Sequence, residues 1–109
     1  MDDAYAGEVL DLVEQIPPGR AMTYGLVAEV LVDRARGAGR PARGGPRQVG
    51  QVMAAGLRDV PWWRVVDASG RPPARHLARA LAHLRDEGTP LTGDGARVAL
   101  RAAVWFPED

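Results

Sequence analysis

The apolar positions of the chain fall first into a helical rhythm. From Glu8 to Gln15, Val9, Leu12 and Val13, followed by Ile16, recur at intervals of three and four, while Glu8, Asp11 and Glu14 face elsewhere. This is the spacing of an amphipathic helix with one stripe turned to a core. The run Ile16-Pro17-Pro18-Gly19 ends it, because a residue before proline avoids the helical region and glycine frees the turn. Met22 and Thr23 are expected to be extended, with Thr23 as the N-cap of a second helix whose stripe is Tyr24, Val27, Ala28 and Leu31. A third helix opens at Gly45-Pro46, an N-cap with proline at the first helical position. It is expected to turn Val49, Val52, Met53 and Leu57 inward, leaving Arg47, Gln48 and Gln51 for other faces. Trp63 to Asp67 reads as a strand, Ala68-Ser69-Gly70 as a turn and Arg71 to Arg75 as an extended return, which together make a small wing. A fourth helix from about Arg75 to Glu87 is expected to bury Leu77, Leu81 and Leu84, and the tail, with Val98, Leu100, Val104 and Trp105, to add a strand.

Between the second and third helices the pattern lapses. Residues 34–45 (R-A-R-G-A-G-R-P-A-R-G-G) show no apolar period, and the segment is expected to be a flexible, solvated insertion. The result is a mainly α chain: a winged helix-turn-helix with a small β wing and an unusually long joint. Its 109 residues fit one domain, 1–109, with a single core.

Charge adds what periodicity cannot. The net charge is zero, all 14 basic residues are arginine, and lysine and asparagine are absent. From Arg34 to Arg79 there are ten arginines against two acids, Asp59 and Asp67, so the middle is +8 and the flanks −8. One basic face presented to a polyanion is the expectation. Cysteine is absent, which removes disulfides, thiolate metal sites and a thiol nucleophile. No leader or long apolar run is visible, so a cytoplasmic location is expected and membrane insertion is not.

The inventory of catalytic groups is short. His76 and His83 lie seven residues apart on one predicted helix, about 10 Å along its axis, too far to share a metal, so packing or surface roles are expected. Ser69, the one serine, sits in a glycine turn without a neighbouring histidine. Asp86 and Glu87 are adjacent and diverge on a helix. No phosphate-binding glycine loop precedes a helix. The residues therefore favour a binding protein without metal or cofactor. Within the run Pro61-Trp62-Trp63-Arg64-Val65, Trp63 is expected in the core, whereas Trp62 could offer a flat face to an extruded nucleobase.

Ordered motifs narrow this reading. Ile16-Pro17-Pro18-Gly19-Arg20 with Thr23-Tyr24-Gly25, then Pro46-Arg47-Gln48-Val49-Gly50-Gln51-Val52-Met53, then P-W-W-R-V-V-D-A-S-G from Pro61, together resemble the DNA-binding domain of O6-alkylguanine-DNA alkyltransferases. The likeness is closer to the alkyltransferase-like proteins. In the enzymes the last motif reads P-C-H-R-V, and its cysteine accepts the alkyl group; Trp62 stands in that place here, as it does in the alkyltransferase-like proteins. The resemblance spans about Tyr5 to Pro107. It departs from the family at Trp63, where most members have histidine, and at the 34–45 insertion.

What the resemblance implies is a protein that binds O6-alkylguanine in duplex DNA through the minor groove and rotates the damaged nucleotide into a pocket. It would transfer no alkyl group and would flag the lesion for nucleotide excision repair. Arg47 matches the arginine finger that fills the vacated stack, and Tyr24 the tyrosine that crowds the target phosphate. Val60, Pro61 and Trp62 would form the pocket wall, and Arg75 matches the arginine that lines it. Further DNA contacts are expected from Thr23, Gln48, Gln51 and Arg64, and a monomer is expected. The alternative of another class is a sequence-specific transcription regulator reading the major groove with Arg47, Gln48 and Gln51.

Overall fold

The structure is a computed structural model that describes residues 2–108. Helix α1 spans Asp3–Gln15, α2 Tyr24–Gly37, α3 Pro46–Ala54, α4 Leu77–Asp86 and α5 Leu100–Ala103; strands β1, Met22–Thr23, and β2, Val65–Val66, form the sheet. Helix α1 begins five residues before its clearest stripe, because Asp2 caps it. The Asp2 carboxylate accepts from the N–H groups of Ala4 at 3.0 Å and Tyr5 at 3.1 Å, satisfying donors that a helix start leaves unpaired. The buried face then reads Tyr5, Ala6, Val9, Leu10, Leu12 and Val13, and the helix stops at Ile16. As the sequence suggests, Thr23 caps α2, its hydroxyl oxygen accepting from Leu26 N–H at 3.0 Å. Helices α2 and α3 share the broadest helix contact in the fold, the two-helix unit of a helix-turn-helix.

Several expectations are corrected. Residues 34–37 are not loop: they form the last turn of α2, with Ala35 buried. The remainder of the insertion lies on α1, where Arg40 pairs with Glu8 at 3.1 Å and Arg43 pairs with Asp2. Gly44, at φ +81°, lets the chain cross the Tyr5 ring, since a Cβ there would stand 2.4 Å from it. Helix α3 ends at Ala54, so Leu57 lies beyond it and is exposed, not buried. In α4 it is Ala80 and Leu84 that are fully buried, with Leu77 and Leu81 half-buried. The tail forms α5 and meets β1 through a single bridge between Ala21 and Val104, not a further strand.

The wing differs most. Trp62–Arg64 is a 3₁₀ turn, and the strand that follows is only Val65–Val66. Its partner is β1, in parallel, with Met22 opposite Val65 and Thr23 opposite Val66. The return is extended only as far as Pro73, because Ala74–His76 form a 3₁₀ turn ahead of α4, and it leaves a tight turn at Gly70, where a Cβ would meet the Val98 carbonyl oxygen at 2.2 Å. This two-strand ladder explains why the buried side chains form two clusters and not one. Successive strand residues point to opposite faces: Met22 and Val65 join the cluster of α1, α2 and α3, while Ala21 and Val66 join Leu84, Val98 and Ala103.

Candidate functional site

A turn of three residues opens the site. Trp62 N–H donates to the Val60 carbonyl at 2.7 Å across Pro61, whose φ of −73° and ψ of 69° are those of an inverse γ-turn. Val60 is thereby buried while Trp62 stays half-buried, facing a cavity of about 290 Å³, at the small end of the range for small-molecule sites. Tyr24 from the start of α2, Val52 and Met53 from α3, and Arg75 line it with Val60 and Trp62. Four residues named from sequence thus converge. Pro61 shapes the turn without lining the space, and Thr23, Arg47, Gln48, Gln51 and Arg64 lie outside it.

Those outside divide by what holds them. Arg47, Gln48 and Gln51 are exposed on α3, and Arg47 stands one turn before Gly50, which borders the cavity and where a Cβ would meet nothing within 4 Å. Gln48 also closes the start of α3, its Oε1 accepting from Gly45 N–H at 3.0 Å. Thr23 is half-buried and caps α2. Arg64 is placed differently from the expectation of a DNA contact. Its Nε donates to Glu87 at 3.0 Å and its Nη1 to the Ile16 carbonyl at 2.8 Å, so the guanidinium is committed inside the chain.

Glu87 anchors the floor beneath the tryptophans. Its carboxylate also accepts from Trp63 Nε1 at 3.1 Å, and Trp63 packs against the second cluster of buried side chains. Burial by itself would raise the Glu87 pKa, but the Arg64 and Trp63 hydrogen bonds and the Arg64 charge outweigh it, and the group titrates below its usual range. The Tyr24 hydroxyl moves the other way: burial, then the Asp67 charge, raises its pKa. It therefore remains a neutral hydrogen-bond donor at physiological pH.

Sequence reading undervalued three further residues. His83 stacks on Trp63 with ring centroids 3.9 Å apart and planes at 12°, and its ring lies edge-on to Trp62 with centroids 6.2 Å apart. His76 lies 5.5 Å from Trp62 and lines the cavity. Arg79 also lines it, with its guanidinium 5.7 Å from the Trp62 ring centroid. The recoverable signal was the four-residue step from Arg75 to Arg79, which brings an arginine of the 3₁₀ turn Ala74–His76 and one of α4 to the same cavity.

Among the described residues no cluster of acids, histidines or cysteines could hold a metal ion, and no helix is long and apolar enough to cross a membrane. The arrangement is a small cavity of mixed aromatic, aliphatic and cationic walls beside an exposed helix.

The chain is similar to known proteins over nearly its whole length. Residues 4–89 match the family described as 6-O-methylguanine DNA methyltransferase, DNA binding domain. A DNA base-flipping protein of Vibrio parahaemolyticus serotype O3:K6 (strain AQ3810) is 31% identical over 110 residues, covering 96% of this chain and 99% of that one. Among solved structures, S. pombe Atl1 in complex with damaged DNA containing O6-carboxymethylguanine superposes with a TM-score of 0.69 at 31% identity, over 98% of this chain and 99% of the other. The same scores hold for the S. pombe protein in a second complex with DNA. Motif order, fold and relatives converge: the chain belongs to the family of the 6-O-methylguanine DNA methyltransferase DNA-binding domain, as an alkyltransferase-like member of it.

Proposed function

We propose that this protein recognises O6-alkylguanine in duplex DNA, receives the rotated base in the cavity at Trp62, and leaves the alkyl group in place. The observation that carries the reading is the convergence of Tyr24, Val60, Trp62 and Arg75 on one cavity, with Arg47 outside it on an exposed helix face. A base out of the stack needs replacement contacts, and the Trp62 face and the Arg75 guanidinium are suited to provide them. Outside, α3 enters the minor groove. Arg47 fills the gap and hydrogen-bonds the orphaned cytosine, Tyr24 crowds the phosphate of the rotated nucleotide, and Thr23, Gln48 and Gln51 border the backbone. Arg64 is left out of this interface because its donors are already used by Glu87 and Ile16.

No transfer follows binding. Trp62 takes the acceptor position, and indole nitrogen is a donor without nucleophilic character. The bound, marked lesion is the signal on which nucleotide excision repair acts, with a single copy of this protein working in the cytoplasm.

The test is a pair of matched duplexes carrying guanine or O6-methylguanine, titrated at stated salt because phosphate contacts alone make both tight at low ionic strength. A lesion preference that is lost in Trp62→Ala while the melting temperature holds supports the reading. Equal affinity for the two duplexes, with a preference for particular sequences, would make the protein a sequence-specific regulator instead.

A further inference from the structure

The walls of the cavity carry more positive charge than a neutral base requires. Arg75 and His76 line it from the 3₁₀ turn Ala74–His76 and Arg79 from the first turn of α4, and Arg58 lines it as well. Among the described residues no acid lines the space. Arg58 is neutralised by Asp11 at 2.7 Å and Glu14 at 3.6 Å. Arg75 and Arg79 have no carboxylate partner among the described residues, and the Arg79 guanidinium lies 5.7 Å from the Trp62 ring centroid. Two guanidiniums without a carboxylate partner therefore line, from exposed positions, a cavity whose aliphatic wall is Val52, Met53, Val60 and Leu57.

A rotated guanine with a neutral alkyl group satisfies one of them. Arg75 takes the base, and Arg79, exposed beside Trp62, is left without a carboxylate partner. An acidic group on the O6 substituent supplies the missing partner, because a guanidinium fork matches a carboxylate in two parallel hydrogen bonds. The imidazole of His76 adds a donor nearby.

We propose that Arg79, assisted by His76, makes this cavity selective for O6 adducts ending in a carboxylate over neutral adducts of the same size. The inference rests on the proposed lesion binding and adds the chemical class of substituent preferred.

The experiment compares three duplexes of one sequence at one salt concentration, carrying guanine, O6-carboxymethylguanine or O6-carbamoylmethylguanine. The last two are nearly isosteric and differ by one charge, and phosphate contacts are common to all three, so they cancel in the ratios. Carboxymethyl is expected to bind roughly tenfold tighter than carbamoylmethyl. Arg79→Gln is expected to bring that ratio close to one, and Arg79→Lys to restore part of it, with melting temperatures showing all three proteins folded. A ratio of one in the unaltered protein, with both adducts bound more tightly than guanine, overturns the selectivity and leaves the lesion reading standing. A preference for carboxymethyl that survives in Arg79→Gln overturns the assignment to Arg79. No difference between either adduct and guanine removes the lesion reading, and the selectivity falls with it.

Discussion

Arg40 and Arg43 share a side chain with Arg47, Arg75 and Arg79 and meet opposite circumstances. The first two lie across α1, where Glu8 and Asp2 face them, and Arg43 adds a contact 5.9 Å from the Tyr5 ring centroid. The other three have no carboxylate partner among the described residues. Part of the arginine excess in the middle of the sequence is therefore matched within the chain. At least four of those ten arginines, 40, 43, 58 and 64, are matched by carboxylates from elsewhere in the chain. What sets Arg47, Arg75 and Arg79 apart is the absence of a carboxylate partner among the described residues, and linear charge counting cannot see partners.

Four experiments probe this contrast. The largest effect concerns the site's missing chemistry. Trp62→Cys alone is expected to transfer methyl groups poorly, because a thiol with an ordinary pKa near ~8.5 is only a few per cent ionised at neutral pH. The double variant Trp62→Cys with Trp63→His adds a base beside Glu87, which already accepts from residue 63. It should react roughly 10²-fold faster or more. Single-turnover transfer from labelled O6-methylguanine DNA measures both, and fast transfer by the single variant would reveal another activating group.

Next in size is the internal pair. Arg64 and Glu87 have side chains only 12% and 15% exposed, so Arg64→Ala strands a carboxylate and should cost about 3 kcal/mol in urea unfolding. A loss under about 1 kcal/mol would place Arg64 with the solvent-facing arginines after all. The pH dependence follows from the lowered Glu87 pKa. Its stabilising contribution is complete above the ordinary value of 4.5 and is lost as pH falls through the lower folded-state value. Glu87→Gln should lack that component of acid sensitivity.

On the proposed role, Arg47→Ala should weaken the lesion duplex about tenfold more than the undamaged one, since the gap it would fill exists only when a base is out. If both weaken equally and the salt slope falls by about one, Arg47 is a phosphate contact only. The smallest effect is expected at the insertion. Arg40→Gln and Arg43→Gln should each change stability by under about 1 kcal/mol, as exposed pairs do, and leave the salt dependence of DNA binding unchanged. A shallower slope in either would show that the insertion reaches phosphates.

The helical frame was legible because its signals are local. Val9, Leu12, Val13 and Ile16 mark α1, Pro17 stops it, Thr23 caps α2, and Gly45-Pro46 starts α3 within a residue of where the structure has it. Leu57 misled because the periodic pattern outlasts the helix, which yields before Gly56 at φ +60°. The pairing of β1 with β2 was hidden for a different reason. Two-residue strands show no alternation, and their partners lie more than forty positions apart. The ion pairs of the insertion were invisible for the same cause of distance. Tyr24, Val60, Trp62 and Arg75 could be named from motif resemblance, but their convergence on one cavity is a property of the folded chain.

The short ladder has a mechanical consequence. Tyr24 follows directly on Thr23 of β1, and Trp62 begins the 3₁₀ turn that runs into Val65 of β2. The two jaws of the cavity are thus carried on arms that cross at a single two-rung pivot, as in a pair of calipers. The gap between the jaws is gauged at that pivot, while residues 38–45 run back over α1 and lead into α3, which walls the same cavity. The spacing of Tyr24 and Trp62, thirty-eight positions apart in sequence, is thus set by a pivot to which neither residue belongs.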